Sequence, residues 1–185
     1  MEEEVKVDLA CGNSKKEGFI GVDIVDTKDV DIVHNLTQYP WPFEDNSVDE
    51  IFCSHYVEHV PHDIDNDDGR DGLIQFMDEV YRILKPGGKI EIVAPYYKNE
   101  RAFGDPTHRR YIGDLSFLYW NKEWRDTNKL SHYGIKCDFD IRLNYLIDND
   151  LTLKSAEVRG EAIKKEWNAV QDIMVQMEKR IEDKK

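Results

Sequence analysis

The chain has 185 residues, a formal net charge of -13 and 40% hydrophobic residues, enough for one domain with its own core. Such acidity excludes a partner held mainly through a phosphate backbone, so no nucleic acid is expected. No apolar run reaches membrane-spanning length, MEEEVKV lacks the apolar centre of a signal peptide, and Cys11, Cys53 and Cys137 form neither a disulfide framework nor a zinc spacing. A cytoplasmic protein without a metal or a membrane partner is therefore the expectation.

Val5 to Ala10 and Phe19 to Val22 are short apolar runs that end on Cys11-Gly12 and on Asp23, the pattern of buried parallel strands. No helix-forming run lies between them, so the first crossover is a loop. Ligands of open α/β sheets bind at the carboxyl ends of strands, which puts Gly12, Asn13 and Asp23 on one rim. A dinucleotide site wants several glycines and a helix N-terminus aimed at the pyrophosphate. One glycine and two carboxylates count against a nicotinamide oxidoreductase. They fit a phosphate-free, positively charged nucleoside, with Asp23 meeting the ribose hydroxyls and Asp8 an ammonium or sulfonium centre. S-adenosylmethionine answers that description.

Further along, Val30 to Val33 reads as a third strand, residues 39–47 as a proline-bearing loop, and Val48 to Ser54 as a fourth strand. A helical turn over 56–60 stops at Pro61 and would place His55 and His59 on one face. In the acidic run 62–72, Asp63, Asp65 and Asp67 alternate as in a calcium loop. The glycine, however, comes one place late and the twelfth position is Ile74, so a solvated loop is the default. A helix over Leu73 to Leu84 turns Leu73, Phe76, Met77, Val80 and Leu84 to one side, and Lys85-Pro86-Gly87-Gly88 stops it. Lys89 to Ala94 is the fifth strand.

Pro95 to Cys137 changes character: it is rich in aromatics and carries a net charge of +3 against -16 for the remainder. Segments at strand ends hold specificity, so this stretch is expected to cover the site and to take a polar or anionic acceptor. Phe139 to Ile147 alternates as a one-faced strand, residues 148–150 turn, and Leu151 to Val158 is expected to return as its partner. Ile163, Trp167, Val170, Met174, Met177 and Ile181 have heptad-like spacing, which predicts an amphipathic helix over 161–185. That helix would cover an open sheet face or pair two copies of the chain, with the homodimer favoured.

The blocks VDLACGN with GVDI, HNLTQYPWPFEDNSVDEIFCSHYVEHV, and FMDEVYRILKPGGKIEIVAP, in this order, resemble the class I S-adenosylmethionine-dependent methyltransferases, in particular small members with a shortened first crossover. The resemblance covers roughly residues 5–95. It implies a Rossmann-like, mostly parallel seven-stranded sheet with an antiparallel last strand in a domain over 1–160. It also implies a cofactor site of Asp8, Ala10, Cys11, Gly12, Asn13, Asp23, Ile24, Asn35, Leu36, Ser54 and His55. Asn35 stands where the family usually has Asp to read the adenine amino group, and its carbonyl can still accept a hydrogen bond. Tyr96, Tyr97, Asp105, Arg109 and Arg110 are the expected contacts to a small-molecule acceptor. His108 is the first candidate for a general base, and His55 the second. The alternative is a methyltransferase-like module that has lost its chemistry and serves in assembly, which the Asn35 exchange, the short crossover and the long terminal helix favour.

Overall fold

The computed structural model describes residues 3–64 and 69–181. Seven strands form one sheet: β1 (Lys6–Leu9), β2 (Ile20–Asp23), β3 (Ile32–Val33), β4 (Val48–Ser54), β5 (Leu84–Pro95), β6 (Phe139–Ile147) and β7 (Val170–Lys179). Their order is β3-β2-β1-β4-β5-β7-β6. The first five run parallel, while β7 is antiparallel to both β5 and β6. This is the α/β sheet that the strand pattern implies.

Helix α1 (Gly72–Ile83) turns Phe76, Met77, Val80 and Ile83 onto one sheet face, where they meet Leu9, Ile51, Cys53, Ile92 and Val175 in a single core. No helix joins β1 to β2, and one end of the opposite face stays polar and partly exposed. Across it, Lys6, Glu50, Lys89 and Glu178 stand side by side in register, with ion pairs of 3.2 Å (Lys6–Glu50) and 3.7 Å (Lys89–Glu178). Half-exposed pairs of this kind stabilise little, so they keep the face wet and do not hold the sheet together. Lys179 instead passes into the covered side and is only 8% exposed. Its Nζ donates to the carbonyls of Tyr81 (2.6 Å) and Leu84 (2.8 Å), satisfying the C-terminal turn of α1.

Two expectations for the last third of the chain fail. Leu151 to Val158 is not a strand: Asn149–Thr152 and Ala156–Lys165 are helices α5 and α6, capped by the side chains of Asp148 and Ser155. Leu153 and Val158 are exposed, so no burial required a strand there. Nor does a single amphipathic helix fill 161–185. Helix α6 ends at Lys165, Asn168 takes φ 61°, and Val170 to Lys179 is strand β7 inside the sheet. The heptad-like spacing hides a period of two in Ile173, Val175 and Met177, all buried toward the core. An unpaired β5 edge would leave a row of backbone groups unsatisfied, and β7 satisfies them. With the helical seam gone, the argument for a dimer through it falls away, and Val170–Lys179 lies within the sheet.

Residues 95–137 contain α2 (Arg101–Gly104), α3 (Asp114–Leu118), α4 (Lys122–Thr127) and a 3₁₀ turn at Ser131–Tyr133. Arg125, 3% exposed, ties this cover together by donating to the carbonyls of Tyr119 (2.5 Å) and Cys137 (2.8 Å). The amides of Lys136 and Cys137 both donate to Asp78 on α1 at 2.9 Å. The acidic run 62–72 and its calcium-like spacing fall partly outside the described residues. Among the described residues, no helix is long and apolar enough to cross a membrane.

Asp71 caps α1 by accepting from the Leu73 amide at 2.9 Å, and its carboxylate is also held by the two terminal guanidinium nitrogens of Arg110 at 2.9 and 3.1 Å and by His62 at 3.0 Å. Asp71→Ala removes a helix cap and strands a well-covered guanidinium, so a loss of about 2 kcal/mol is expected in urea denaturation. Burial pushes the Asp71 carboxyl upward, but the bonds from His62, Arg110 and the Leu73 amide outweigh it and leave it below the usual range. Its contribution is therefore complete above roughly pH 4 and lost as pH falls through the lower folded-state value. The difference between wild type and Asp71→Ala should shrink in acid.

Candidate functional site

The carboxyl ends of β1, β2 and β4 lie side by side, as the pairings Leu9↔Val22 and Leu9↔Cys53 require. Two residues just beyond them adopt left-handed backbone without being glycine, Ala10 (φ 57°) and His55 (φ 54°). Such positions cost on the order of 1–3 kcal/mol each and collect at functional sites. Gly12 (φ 56°) follows, with open space where a Cβ would stand. Its amide donates to Asp23 Oδ2 at 3.0 Å, while Asp23 Oδ1 accepts from Val25 at 3.0 Å. Ile24 beside it is 61% exposed, and Val33 on the neighbouring strand is 57% exposed. A carboxylate flanked by exposed aliphatic surface suits a ribose and its base, so these residues fit a nucleoside cofactor.

Other members of the expected set have different tasks. Asp8 is 2% exposed, and its carboxylate accepts from the Lys16 amide at 2.7 Å. It anchors the loop that replaces the first crossover helix and is not offered to a ligand's cation. Burial raises its pKa, against the pull of that amide and of Lys16. The Cys11 thiol is pushed up to about 11 by burial and by the nearby Asp8 and Asp23 charges, so it stays protonated. Asn13 is exposed at the turn. Asn35 Oδ1 is engaged by the Thr37 amide (3.0 Å) and hydroxyl (2.9 Å), and Leu36 is buried, its carbonyl taken by Trp41. Ser54 closes β4 against Val93.

The cover reaches this rim through Asp105-Pro106-Thr107-His108-Arg109-Arg110. The amides of Arg109 (2.7 Å) and Arg110 (3.2 Å) donate to the Glu58 carbonyl, and the Arg110 side chain donates to the carbonyls of Val60 (2.9 Å) and Pro61 (2.8 Å). With its remaining donors on Asp71, Arg110 is a clamp and not the acceptor contact expected of it. Tyr96 is likewise withdrawn: it is 4% exposed and packed edge-on against Tyr97 and Tyr145. Tyr97 and Arg109 are exposed, and Asp105 turns the loop by accepting from the Thr107 amide at 2.7 Å. Beside them Phe103, Tyr111 and Trp167 form an exposed aromatic group, with Phe103 and Tyr111 stacked at 4.5 Å.

His108 donates Nδ1–H to the Ala102 carbonyl at 2.9 Å and lies edge-on to His59, ring centres 4.8 Å apart. His55 Nδ1 stands 3.4 Å from Glu58, too poorly aligned for a hydrogen bond, and the nearby carboxylate raises the imidazole pKa although burial opposes it. With Glu58 as its neighbour, His55 faces the turn after β4 and not the cover. The sequence reading missed Glu58, together with the Arg101–Asp172 pair at 3.2 Å; Glu58 looks like one more surface acid in a helical turn. A concavity of about 610 Å³ beside α1, lined by Arg70, Asp78, Glu79 and Arg82 among others, lies away from the strand tips. Four of its charged residues are tied up in the Arg70–Asp78 and Arg82–Glu79 pairs, and the strand tips remain the candidate site.

Residues 7–92 match the family model described as methyltransferase domain. No curated protein matches the chain in sequence. Among solved structures, it is similar to a SAM-dependent methyltransferase from Archaeoglobus fulgidus (TM-score 0.62, 20% identity, covering 95% of this chain and 86% of that one). It is also similar to the YcgJ protein from Bacillus subtilis (TM-score 0.55, 17% identity, 97% and 93%) and to an S-adenosylmethionine-dependent methyltransferase from Mesorhizobium loti (TM-score 0.54, 14% identity, 95% and 90%). The sheet order, the tips of β1 and β2 and the match over residues 7–92 together support one assignment: residues 7–92 form a methyltransferase domain, and the chain has the fold of the class I S-adenosylmethionine-dependent methyltransferases, whose cofactor is S-adenosylmethionine.

Proposed function

We propose that this chain is a methyltransferase that acts on a small polar or anionic acceptor. When bound, S-adenosylmethionine supplies a methyl group on a sulfonium, open to in-line displacement. Asp23 would hold the ribose hydroxyls, Ile24 would pack against the base, and the Gly12 turn would leave room for the remainder. The observation that carries the reading is the docking of Arg109 and Arg110 on the Glu58 carbonyl, which brings His108 from the cover to the rim at the end of β4.

An acceptor hydroxyl or amine forms a bond to the methyl carbon as the carbon–sulfur bond breaks, and it must shed a proton. His108 can take that proton, because the Ala102 carbonyl fixes its proton on Nδ1 and leaves the Nε2 lone pair free. Arg109 is an exposed cation for an anionic group, and Phe103, Tyr111 and Trp167 offer faces on which a sugar would stack. Calorimetry with S-adenosylmethionine, followed by detection of S-adenosylhomocysteine over a panel of sugar, phosphate and carboxylate acceptors, tests this. The absence of binding at millimolar cofactor would sink it. Binding without turnover on every acceptor would favour a silent assembly module, the reading consistent with an Asn35 carbonyl already committed to Thr37.

A further inference from the structure

We propose that Glu58, His59 and His108 form a binding site for one divalent ion of the zinc class. One candidate ligand atom from each of the three residues lies within 4.8 Å of the other two. Bonds of about 2.0–2.1 Å to a tetrahedral ion set its ligands about 3.4 Å apart, so closure asks for roughly an ångström of side-chain rotation. Two imidazoles and a carboxylate are a donor set for zinc, cobalt or ferrous iron, not for calcium or magnesium.

The hydrogen bonds around the rings already set the required tautomers. Thr107 donates its single hydroxyl proton to Asp105 Oδ1 at 2.7 Å, so the same oxygen accepts from His59 Nδ1 at 3.0 Å. The Ala102 carbonyl can only accept, so His108 also carries its proton on Nδ1. Both rings therefore hold an Nε2 lone pair ready, each oriented by an outer acceptor in the way metal-binding imidazoles are.

Glu58 is the independent sign. It is 1% exposed, and neither carboxylate oxygen has a hydrogen-bond partner among the described residues. Its nearest counter-charge is His55 at 3.4 Å, and then only when that ring is protonated. A buried, unbonded carboxylate is costly, and a dication shared with two imidazoles would satisfy it. Three protein ligands leave a coordination position open toward the rim. With an ion bound, His108 Nε2 would be a ligand, and its role as a base would apply only to the ion-free chain.

The proposal does not depend on methyl transfer and can be read without it. Full-length protein stripped with a chelator is titrated with zinc by calorimetry and with cobalt by visible absorption. One ion per chain is expected, with the intense visible bands of a low-coordinate cobalt site. Glu58→Gln and His108→Asn should each weaken binding at least about tenfold, and Thr107→Ala, which leaves all three ligands in place, about tenfold. His62→Asn, outside the cluster, should change nothing. Should a buried substitution prevent folding, as judged by circular dichroism, the exposed Thr107→Ala still decides. No uptake by the wild type, or uptake indifferent to Glu58→Gln, His108→Asn and Thr107→Ala, would overturn the site. Cofactor calorimetry on the same preparations separates that failure from a failure of the methyltransferase reading.

Discussion

Asp23→Ala should weaken S-adenosylmethionine binding by roughly a hundredfold or more. A carboxylate that accepts from two ribose hydroxyls makes two charge-assisted bonds, each worth about 1.5–3 kcal/mol, and about 3 kcal/mol corresponds to more than two decades of affinity. The same carboxylate also holds the Gly12 amide at 3.0 Å and so keeps the β1 turn in shape before any ligand arrives. Calorimetry on Asp23→Ala beside Asp23→Asn separates the two contributions. Asn retains an oxygen for the Gly12 or Val25 amide but loses the charge and should retain intermediate affinity. Equal affinity of wild type and Asp23→Ala would mean that the nucleoside does not sit at the tip of β2.

Phe76→Ala should cost about 3–5 kcal/mol of unfolding free energy, read from the midpoint of urea denaturation. Phe76 is 0% exposed and sits edge-on to Trp41 (5.3 Å) and tilted against Tyr56 (5.6 Å). Against a typical domain stability of about 5–15 kcal/mol, that loss is a large fraction. The effect should reach the site as well. Tyr56 opens the turn that carries Glu58 and His59, so the cavity left by the ring lies directly beneath the platform on which the cover docks. A loss below about 1 kcal/mol would show that α1 contributes less to the core than its buried face implies.

The first half of the chain was legible because local pattern and tertiary demand agree there. Val48 to Ser54 has the same bounds in sequence and structure, as does Phe139 to Ile147, since a strand with one buried face writes a period of two into the chain. The missing first crossover helix was readable from the short, Gly-ended stretch after Cys11. The last third misled because Ile163 to Ile181 satisfies two periods at once, and only the open edge of β5 selects the strand. Leu151 and Leu153 are apolar yet outside the core, where composition alone invites a strand and the caps at Asp148 and Ser155 make helices.

The site divides along the same line. By itself the sequence determined the sheet class, the rim of Gly12 and Asp23 and the basic, aromatic cover, because each rests on residues within a turn or two of one another. Only the tertiary structure decided that Asp8 anchors a loop, that Arg110 clamps and does not bind, and that Glu58, His59 and His108 converge. The physical reason is that hydrogen-bond partners and burial are properties of packing. A carboxylate's task depends on which amide, guanidinium or imidazole the folded chain brings within three ångströms of it, and its neighbours in sequence do not report that.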